Sequence, residues 1–158
     1  MKISNIIIYT FTLIFFTGCG FKVLDQTKIR NYNILEIKDS GDKRVNFFIK
    51  NELNNLLNDA NSNNDLIVTI KTEKVKSIKE KNKKNQITKY NININAIIEI
   101  YFVNKNVTKT IKLNKENFYN VYTNHSITRN NQKNIENSLN DSLSQDISNK
   151  VLRIINEF

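Results

Sequence analysis

The sequence predicts an α+β domain: a two-layer sandwich in which two helices cover one face of a mixed sheet of about four strands. First, apolar residues occupy alternate positions from Tyr90 to Phe102, which is the period of a strand with one buried face. Second, residues 42–59 and 130–158 carry apolar side chains at helical spacing. Third, the elements follow the order β-α-β-β-β-α, and the apolar face of the sheet needs a helical cover.

The first half of the domain is expected to contain a strand, a helix and a second strand. A short apolar run predicts a strand over residues 32–38, and the turn at 39–42 offers N-cap side chains to a helix over 42–59. The asparagine-rich stretch 61–64 ends that helix, since Asn tolerates left-handed backbone and can replace the missing glycines at turns. A second strand covers residues 66–76, and a right-handed crossover through the helix would make it parallel to the first.

The second half is expected to contain a three-stranded meander and a long helix. A lysine-rich loop over residues 79–85 precedes the strand at 90–102, and Asn104–Asn106 form a tight turn. The fourth strand runs from Val107 to about Leu113, with a possible extension to Tyr122. The last helix, from about Asn130 onwards, has one apolar stripe that would pack on the sheet: Ile135, Leu139, Leu143, Ile147, Val151, Ile154, Ile155 and Phe158.

Composition excludes most cofactor and metal chemistry. The 158 residues include 29 Asn, 24 Ile and 20 Lys, so codon bias of an A/T-rich genome can explain part of the net charge of +9. The three glycines do not form a phosphate-binding loop, and one Cys and one His exclude thiolate zinc and multi-histidine sites. His125 and Ser126 are adjacent in a polar stretch, an arrangement that rarely brings a base to a nucleophile. We therefore expect no cofactor, no metal and no catalytic residues.

The N-terminal residues have the pattern of a bacterial lipoprotein signal. Lys2 precedes an eleven-residue apolar stretch at 6–16, which is too short to span a bilayer. Phe16-Thr17-Gly18-Cys19 then resembles a lipobox, with Phe16 where Leu is usual. The resemblance implies that residues 1–18 are a signal peptide, that Cys19 is the lipid-attachment site, and that 19–31 form an acylated tether to a single domain over 32–158. Several acyl chains on one residue would give a stable membrane anchor.

The excess positive charge is localised along the chain. Residues 71–115 contain twelve Lys and three Glu, whereas the acidic and basic residues elsewhere cancel. One interpretation is a surface for an anionic ligand, with Lys81, Lys83, Lys84 and Lys89 as its representatives. The other is a solvated face whose lysines keep sheet edges from aggregating. Nucleic acid is not an expected partner, because an exported lipoprotein rarely meets it and the chain carries no recognition motif.

Together, these segments resemble the lipopolysaccharide-assembly lipoprotein family (LptE). Cys19-Gly20-Phe21-Lys22-Val23-Leu24 is similar to the "CGF(R/K)PL" start of mature family members, with Val23 in place of Pro. Ile87-Thr88-Lys89-Tyr90 is similar to a "TR" element before the longest strand, with Lys89 in place of Arg. Phe118–Tyr122 occupies the position of an aromatic-rich strand end, and the family has the same order of elements.

The resemblance implies a non-enzymatic lipoprotein on the periplasmic side of the outer membrane. Such a protein partners and plugs the β-barrel that assembles lipopolysaccharide, and it assists delivery of lipopolysaccharide to the outer leaflet. Glycine after Cys19 agrees, by family analogy, with sorting to the outer membrane. Two alternatives remain open: a tethered periplasmic protein that binds another anionic ligand or assists a transporter, and, less favoured, a lipoprotein hydrolase that uses His125.

Overall fold

Four strands form one mixed sheet within the residues that this computed structural model describes, which are 31–57, 62 and 64–157. The strands are β1 (Tyr32–Gly41), β2 (Asn64–Lys81), β3 (Ile87–Phe102) and β4 (Val107–Asn120), and they lie in the order β1-β2-β3-β4. β1 is parallel to β2, whereas the β2–β3 and β3–β4 pairs are antiparallel. The predicted α+β fold and the parallel first pair are both confirmed.

Two helices cover one face of the sheet. Helix α1 (Lys43–Leu57) joins β1 to β2, and helix α2 (His125–Asn156) follows β4. The apolar stripe of α2 is largely confirmed, because Leu139, Leu143, Ile147, Val151 and Ile155 are buried. A 3-10 turn (Val103–Lys105) connects β3 to β4.

The hydrophobic core lies between this helix layer and the sheet. The alternating residues of β3 face the helices, and all of them from Ile92 to Phe102 are buried: Ile92, Ile94, Ala96, Ile98, Ile100 and Phe102. Leu66, Val68 and Ile70 of β2 lie on the same face, opposite their β3 partners. The other sheet face, here called the outer face, is polar near the middle, where the amide of Asn114 bonds Asn93 and Asn95 at 2.9 and 2.6 Å.

The start of the crossover from β1 to β2 depends on one glycine. Gly41 has a φ of +97°, and a Cβ built on it would lie 1.7 Å from the carbonyl oxygen of Thr72. Asp42 then caps helix α1, since its Oδ1 accepts 3.0 Å hydrogen bonds from the N–H groups of Arg44 and Val45. The expected turn at 39–42 is therefore shorter than predicted, because β1 continues to Gly41.

Several element boundaries differ from the sequence prediction. β2 continues to Lys81 and β3 starts at Ile87, so the lysine-rich loop contracts to a turn between Lys81 and Ile87. This turn is held by Asn82, whose side-chain oxygen accepts from the N–H groups of Lys84 and Gln86 at 2.9 and 3.0 Å. β4 extends to Asn120, as the longer alternative allowed.

Helix α2 begins at His125, earlier than the predicted start at Asn130. Asn124 is its N-cap and accepts hydrogen bonds from the N–H groups of Ser126 and Ile127. The first turns were missed because their exposed residues have no apolar periodicity.

Asparagine does replace glycine at two turns. Asn85, between β2 and β3, has a φ of 60°, and Asn106, between β3 and β4, has a φ of 52°.

Other predictions concern residues outside the described part of the chain. These are the signal peptide (1–18), the lipid-attachment residue Cys19, all but the last residue of the tether (19–31), the end of the first helix (58–59), residues 61 and 63 of the stretch at 61–64, and Phe158.

Candidate anionic-ligand surface

The lysine-rich turn lies at one end of the sheet, past the last residue of β1. β1 pairs with β2 only as far as Gly41 and Thr72, whereas β2 continues to Lys81. The end of β4 pairs with the start of β3, with Lys89 opposite Asn120 and Tyr90 opposite Tyr119. We call this end of the molecule, formed by residues 75–91 and 117–127, the distal end.

The structure brings all four predicted ligand-binding lysines into one hairpin at the distal end. Lys81 ends β2, Lys83 and Lys84 lie in the turn, and all three are exposed. Among the described residues, no carboxylate forms an ion pair with any of these three. Lys89 differs, because its Nζ lies 2.5 Å from Oε2 of Glu80 on the neighbouring strand and its side chain is two-thirds buried.

Two further lysines at the distal end contact aromatic rings. Nζ of Lys79 lies 4.0 Å from the ring centroid of Phe118, which also has Lys89 at 5.9 Å. Nζ of Lys76 lies 4.1 Å from the centroid of Tyr90 and 5.2 Å from that of Tyr119. Ammonium groups at these distances are attracted by the negative faces of the rings.

These contacts occupy both faces of the sheet. The rings of Tyr90 and Tyr119 stack with centroids 5.6 Å apart, and the hydroxyl of buried Tyr119 donates to Gln132 of α2 at 2.9 Å. Phe118 is adjacent to Tyr119 in β4, so it points to the outer face and is exposed. The sequence shows these aromatic residues, but only the strand register places them beside the lysines.

Exposed apolar side chains also lie at the distal end. The large hydrophobic residues that are exposed at the distal end are Val75, Ile78, Phe118, Tyr122 and Ile127. Exposed apolar residues grouped with charges at one end of a protein indicate an interaction surface. The distal end is therefore amphiphilic, with cations and apolar groups interspersed.

The lysine excess of residues 71–115 does not form one continuous patch. Lys105 lies in the turn at the opposite end of β3, where its Nζ contacts the hydroxyl of Tyr32 at 3.4 Å. A 16-residue strand separates the two ends by about 50 Å. Between them, several lysines have carboxylate partners: Lys71 with Glu99, Lys74 with Asp42 and Glu136, and Lys115 with Asp146. The unpaired positive charge of this segment is thus concentrated at the distal end rather than along the whole sheet.

The chemistry available to His125 is limited by its position. His125 is the first residue of α2 and is exposed, and the N–H of Ser126 is used in the Asn124 cap. Within the described ranges, no three His, Cys, Asp or Glu side chains converge as a metal site would require. None of the helices in those ranges has the length and apolar character needed to cross a membrane.

Comparison with known proteins identifies the fold. No protein family matches the sequence, and no curated protein sequence matches it. Solved structures do match. Rare lipoprotein B from Shewanella oneidensis aligns with a TM-score of 0.52 at 11% identity, over 75% of this chain and 98% of that one. The chain has the fold of a bacterial lipoprotein.

Two other solved lipoproteins give the same result. A minor lipoprotein from Acinetobacter baumannii aligns with a TM-score of 0.53 at 14% identity, over 75% of this chain and 92% of that one. Lipoprotein B from Nitrosomonas europaea aligns with a TM-score of 0.56 at 8% identity, over 80% and 87% of the two chains. At these identities the similarity concerns the fold, and the chain spans nearly the whole length of each of these proteins.

Proposed function

We propose that this protein is a lipid-anchored lipoprotein of the outer membrane that partners and plugs the β-barrel of lipopolysaccharide assembly. In this role it acts without catalysis and assists delivery of lipopolysaccharide to the outer leaflet. The observation that carries the proposal is the amphiphilic distal end on a lipoprotein fold. Lipopolysaccharide combines phosphate groups with acyl chains, and the distal end combines unpaired ammonium groups with exposed apolar side chains.

The predicted anchor supports the same role. Acylation at Cys19 would tether the domain through residues 19–31, which leaves the sheet free to enter a barrel. The polar outer face, with its hydrogen-bonded asparagines, fits the polar interior that outer-membrane barrels present to their contents.

Co-purification tests the barrel partnership. The full-length lipoprotein, extracted in mild detergent with an affinity tag, is expected to bring down a large outer-membrane β-barrel protein. A Cys19→Ala variant should lose tight membrane association, whereas processed Cys19→Ala protein that stays anchored would contradict the lipid-attachment assignment. Absence of any barrel under gentle extraction would refute the partnership and favour a tethered periplasmic protein that binds another anionic ligand.

Charge removal tests the distal surface. Replacing Lys81, Lys83, Lys84 and Lys89 with Ser should weaken lipopolysaccharide binding, and the difference from wild type should shrink as salt screens the charges. The matched control replaces four exposed lysines elsewhere, Lys38, Lys43, Lys112 and Lys150, and removes the same net charge. Equal binding by the two variants would show that only total charge matters, and that the four distal lysines have no specific role.

Phe118 tests the apolar component of the surface. A Phe118→Ser variant removes the exposed ring that Lys79 and Lys89 contact, and its binding should fall even at high salt. The control is Phe47→Ser, which removes an exposed phenylalanine from α1. If both variants bind as wild type does, the apolar residues of the distal end do not contact the acyl chains.

A further inference from the structure

A second group of basic residues lies on the helix side of the molecule, apart from the lysines of the distal hairpin. Arg44, Arg129, Gln132, Lys133 and Glu136 line a cavity of about 380 Å³ between the start of α1 and the first turns of α2. We call it the arginine cavity. Its volume lies within the usual range of small-molecule sites. The chain has only four arginines among its 24 basic residues, and two of them, from elements 85 positions apart, meet here.

The lining of the cavity has more positive than negative charge, because two arginines and one lysine face a single carboxylate, Glu136, which is already paired. Nζ of Lys74 lies 3.5 Å from Oε2 of Glu136 and 3.1 Å from Oδ2 of Asp42. Glu136 also accepts a 2.7 Å hydrogen bond from the amide of Gln132. Glu136, the one carboxylate among the lining residues, therefore already has a cationic partner in Lys74.

The remaining cations have no carboxylate partner among the described residues. Arg44 donates to the amide oxygen of Asn137 at 2.8 Å, a neutral acceptor that leaves its charge uncompensated. Arg129 and Lys133 are one helical turn apart on α2, and neither forms an ion pair within the described part of the chain. Like charges at this spacing destabilise a helix.

Helix position adds a second electrostatic cost. Arg44 is the second residue of α1, and a cation in the first turn of a helix is disfavoured by the helix dipole. A bound anion would relieve both unfavourable interactions. Arginine also presents a planar fork of N–H donors that matches phosphate or carboxylate oxygens.

From these contacts we infer that the arginine cavity binds a phosphate monoester carried on a sugar or glycerol group. Arg44, Arg129 and Lys133 hold the phosphate. The cavity is larger than one inorganic phosphate, so it has room for the group that carries the phosphate. Lys81, Lys83, Lys84 and Lys89 do not line this cavity, and the inference does not depend on the proposed partnership with a barrel.

Titration of the full-length protein in detergent tests the inference. The side-chain Nε–H resonances of arginine, followed by NMR, should shift for Arg44 and Arg129 when glucose 1-phosphate is added, with chloride at equal ionic strength as the reference. An Arg129→Gln, Lys133→Gln variant should bind about a hundredfold more weakly, since it loses two cations and each charge-assisted hydrogen bond contributes about a factor of ten. A Lys150→Gln, Arg153→Gln variant loses the same charge from exposed positions of the same helix and should bind as wild type does.

The source of the phosphate is resolved by a parallel experiment. Flotation with vesicles that contain phosphatidic acid, compared with phosphatidylcholine alone, distinguishes a lipid headgroup from a soluble phosphate. The site is supported if the protein binds either source of phosphate and this binding is lost in the Arg129, Lys133 variant but kept in the Lys150, Arg153 variant. The inference is overturned if the two double variants bind phosphate equally weakly. It is also overturned if no probe causes an NMR shift or flotation. Co-purification of the barrel with the Arg129, Lys133 variant is measured in parallel. If it persists, the loss of phosphate binding in this variant concerns the arginine cavity and not the proposed partnership.

Discussion

The hydroxyl of Thr72 donates a 2.6 Å hydrogen bond to Oδ1 of the buried Asn46, and this contact links β2 to the first turn of α1. The same hydroxyl accepts from the backbone N–H of Asp42 at 3.1 Å. The amide nitrogen of Asn46 donates to Asp39 and to the carbonyl oxygen of Ser40, each at 3.1 Å. A network of four hydrogen bonds therefore fixes the start of the crossover helix on the sheet.

Thr72→Val should destabilise the protein although it preserves the shape of the side chain. The variant leaves the buried oxygen of Asn46 and the N–H of Asp42 without their partner, and we expect a loss of about 1–3 kcal/mol in the free energy of unfolding. Urea unfolding followed by circular dichroism measures it. Thr69→Val, on the outer face of the same strand, is the control and should change stability by about 0.5 kcal/mol or less. Equal effects of the two variants would contradict the role of the network.

Gly41→Ala should be more harmful than an ordinary glycine substitution. The new Cβ would meet the carbonyl oxygen of Thr72, a backbone atom that cannot move without separating β1 from β2. The positive φ alone costs about 1–3 kcal/mol for a residue with a side chain, and the clash adds to it. The same unfolding measurement checks this loss, with Ser40→Ala as the neighbouring control. A Gly41→Ala protein as stable as wild type would show that the chain does not approach Thr72 this closely.

Stability should fall in acid through Asp39 and Asp42. The hydrogen bond from Lys50 is the main cause that lowers the pKa of Asp39. Partial burial raises the pKa of Asp42, but hydrogen bonds from Val45, Lys74 and Arg44 outweigh it, so this pKa is lowered too. A carboxylate with a lowered pKa in the folded state stabilises that state above its unfolded pKa of about 3.9, and this contribution is lost as the pH falls through the folded value.

The pH dependence of urea unfolding checks this assignment. Between neutral pH and about pH 5 the contribution of both groups is constant, and below about pH 5 the free energy of unfolding should decline. Asp42→Asn keeps an oxygen acceptor for the cap but removes the titration, so its stability should decline less steeply in this range. Parallel curves for wild type and Asp42→Asn would contradict the lowered pKa of Asp42.

The spacing of apolar residues predicted the helices and strands that have one buried face and one exposed face. Alternation identified the helix-facing residues of β3 because one face of that strand is buried and the other carries asparagines. The distal half of β2 lacks this contrast: from Glu73 to Lys81 no residue is fully buried, so its sequence resembles a loop. The start of α2 is equally polar.

The candidate surfaces were only partly predictable for a related reason. Local density of lysine identified the distal hairpin, since Lys81 to Lys89 are close in sequence. The contacts of Lys76 with Tyr90 and Tyr119 depend on the β3–β4 register, which a single sequence does not specify. Arg44 and Arg129 meet only because α1 and α2 pack side by side on the sheet.

Asn140 is expected to lower the stability of the native protein. Its side chain is 1% exposed on α2, and neither its Nδ2 nor its Oδ1 has a hydrogen-bond partner among the described residues. An unsatisfied buried amide costs about 1–3 kcal/mol, so Asn140→Leu, which is similar in size and fully apolar, should raise the free energy of unfolding by up to that amount.

A second substitution separates polarity from packing at this position. Asn140→Ala removes the unsatisfied atoms and leaves a small cavity, so its gain should be smaller than that of Asn140→Leu. Asn134→Leu, at an exposed position of α2, is the control and should change stability by about 0.5 kcal/mol or less. If the leucine variant were less stable while the alanine variant gained, the site would be too small for leucine. If both lost stability, the amide of Asn140 would have a hydrogen-bond partner in solution and would belong to the polar groups that hold α2 in place.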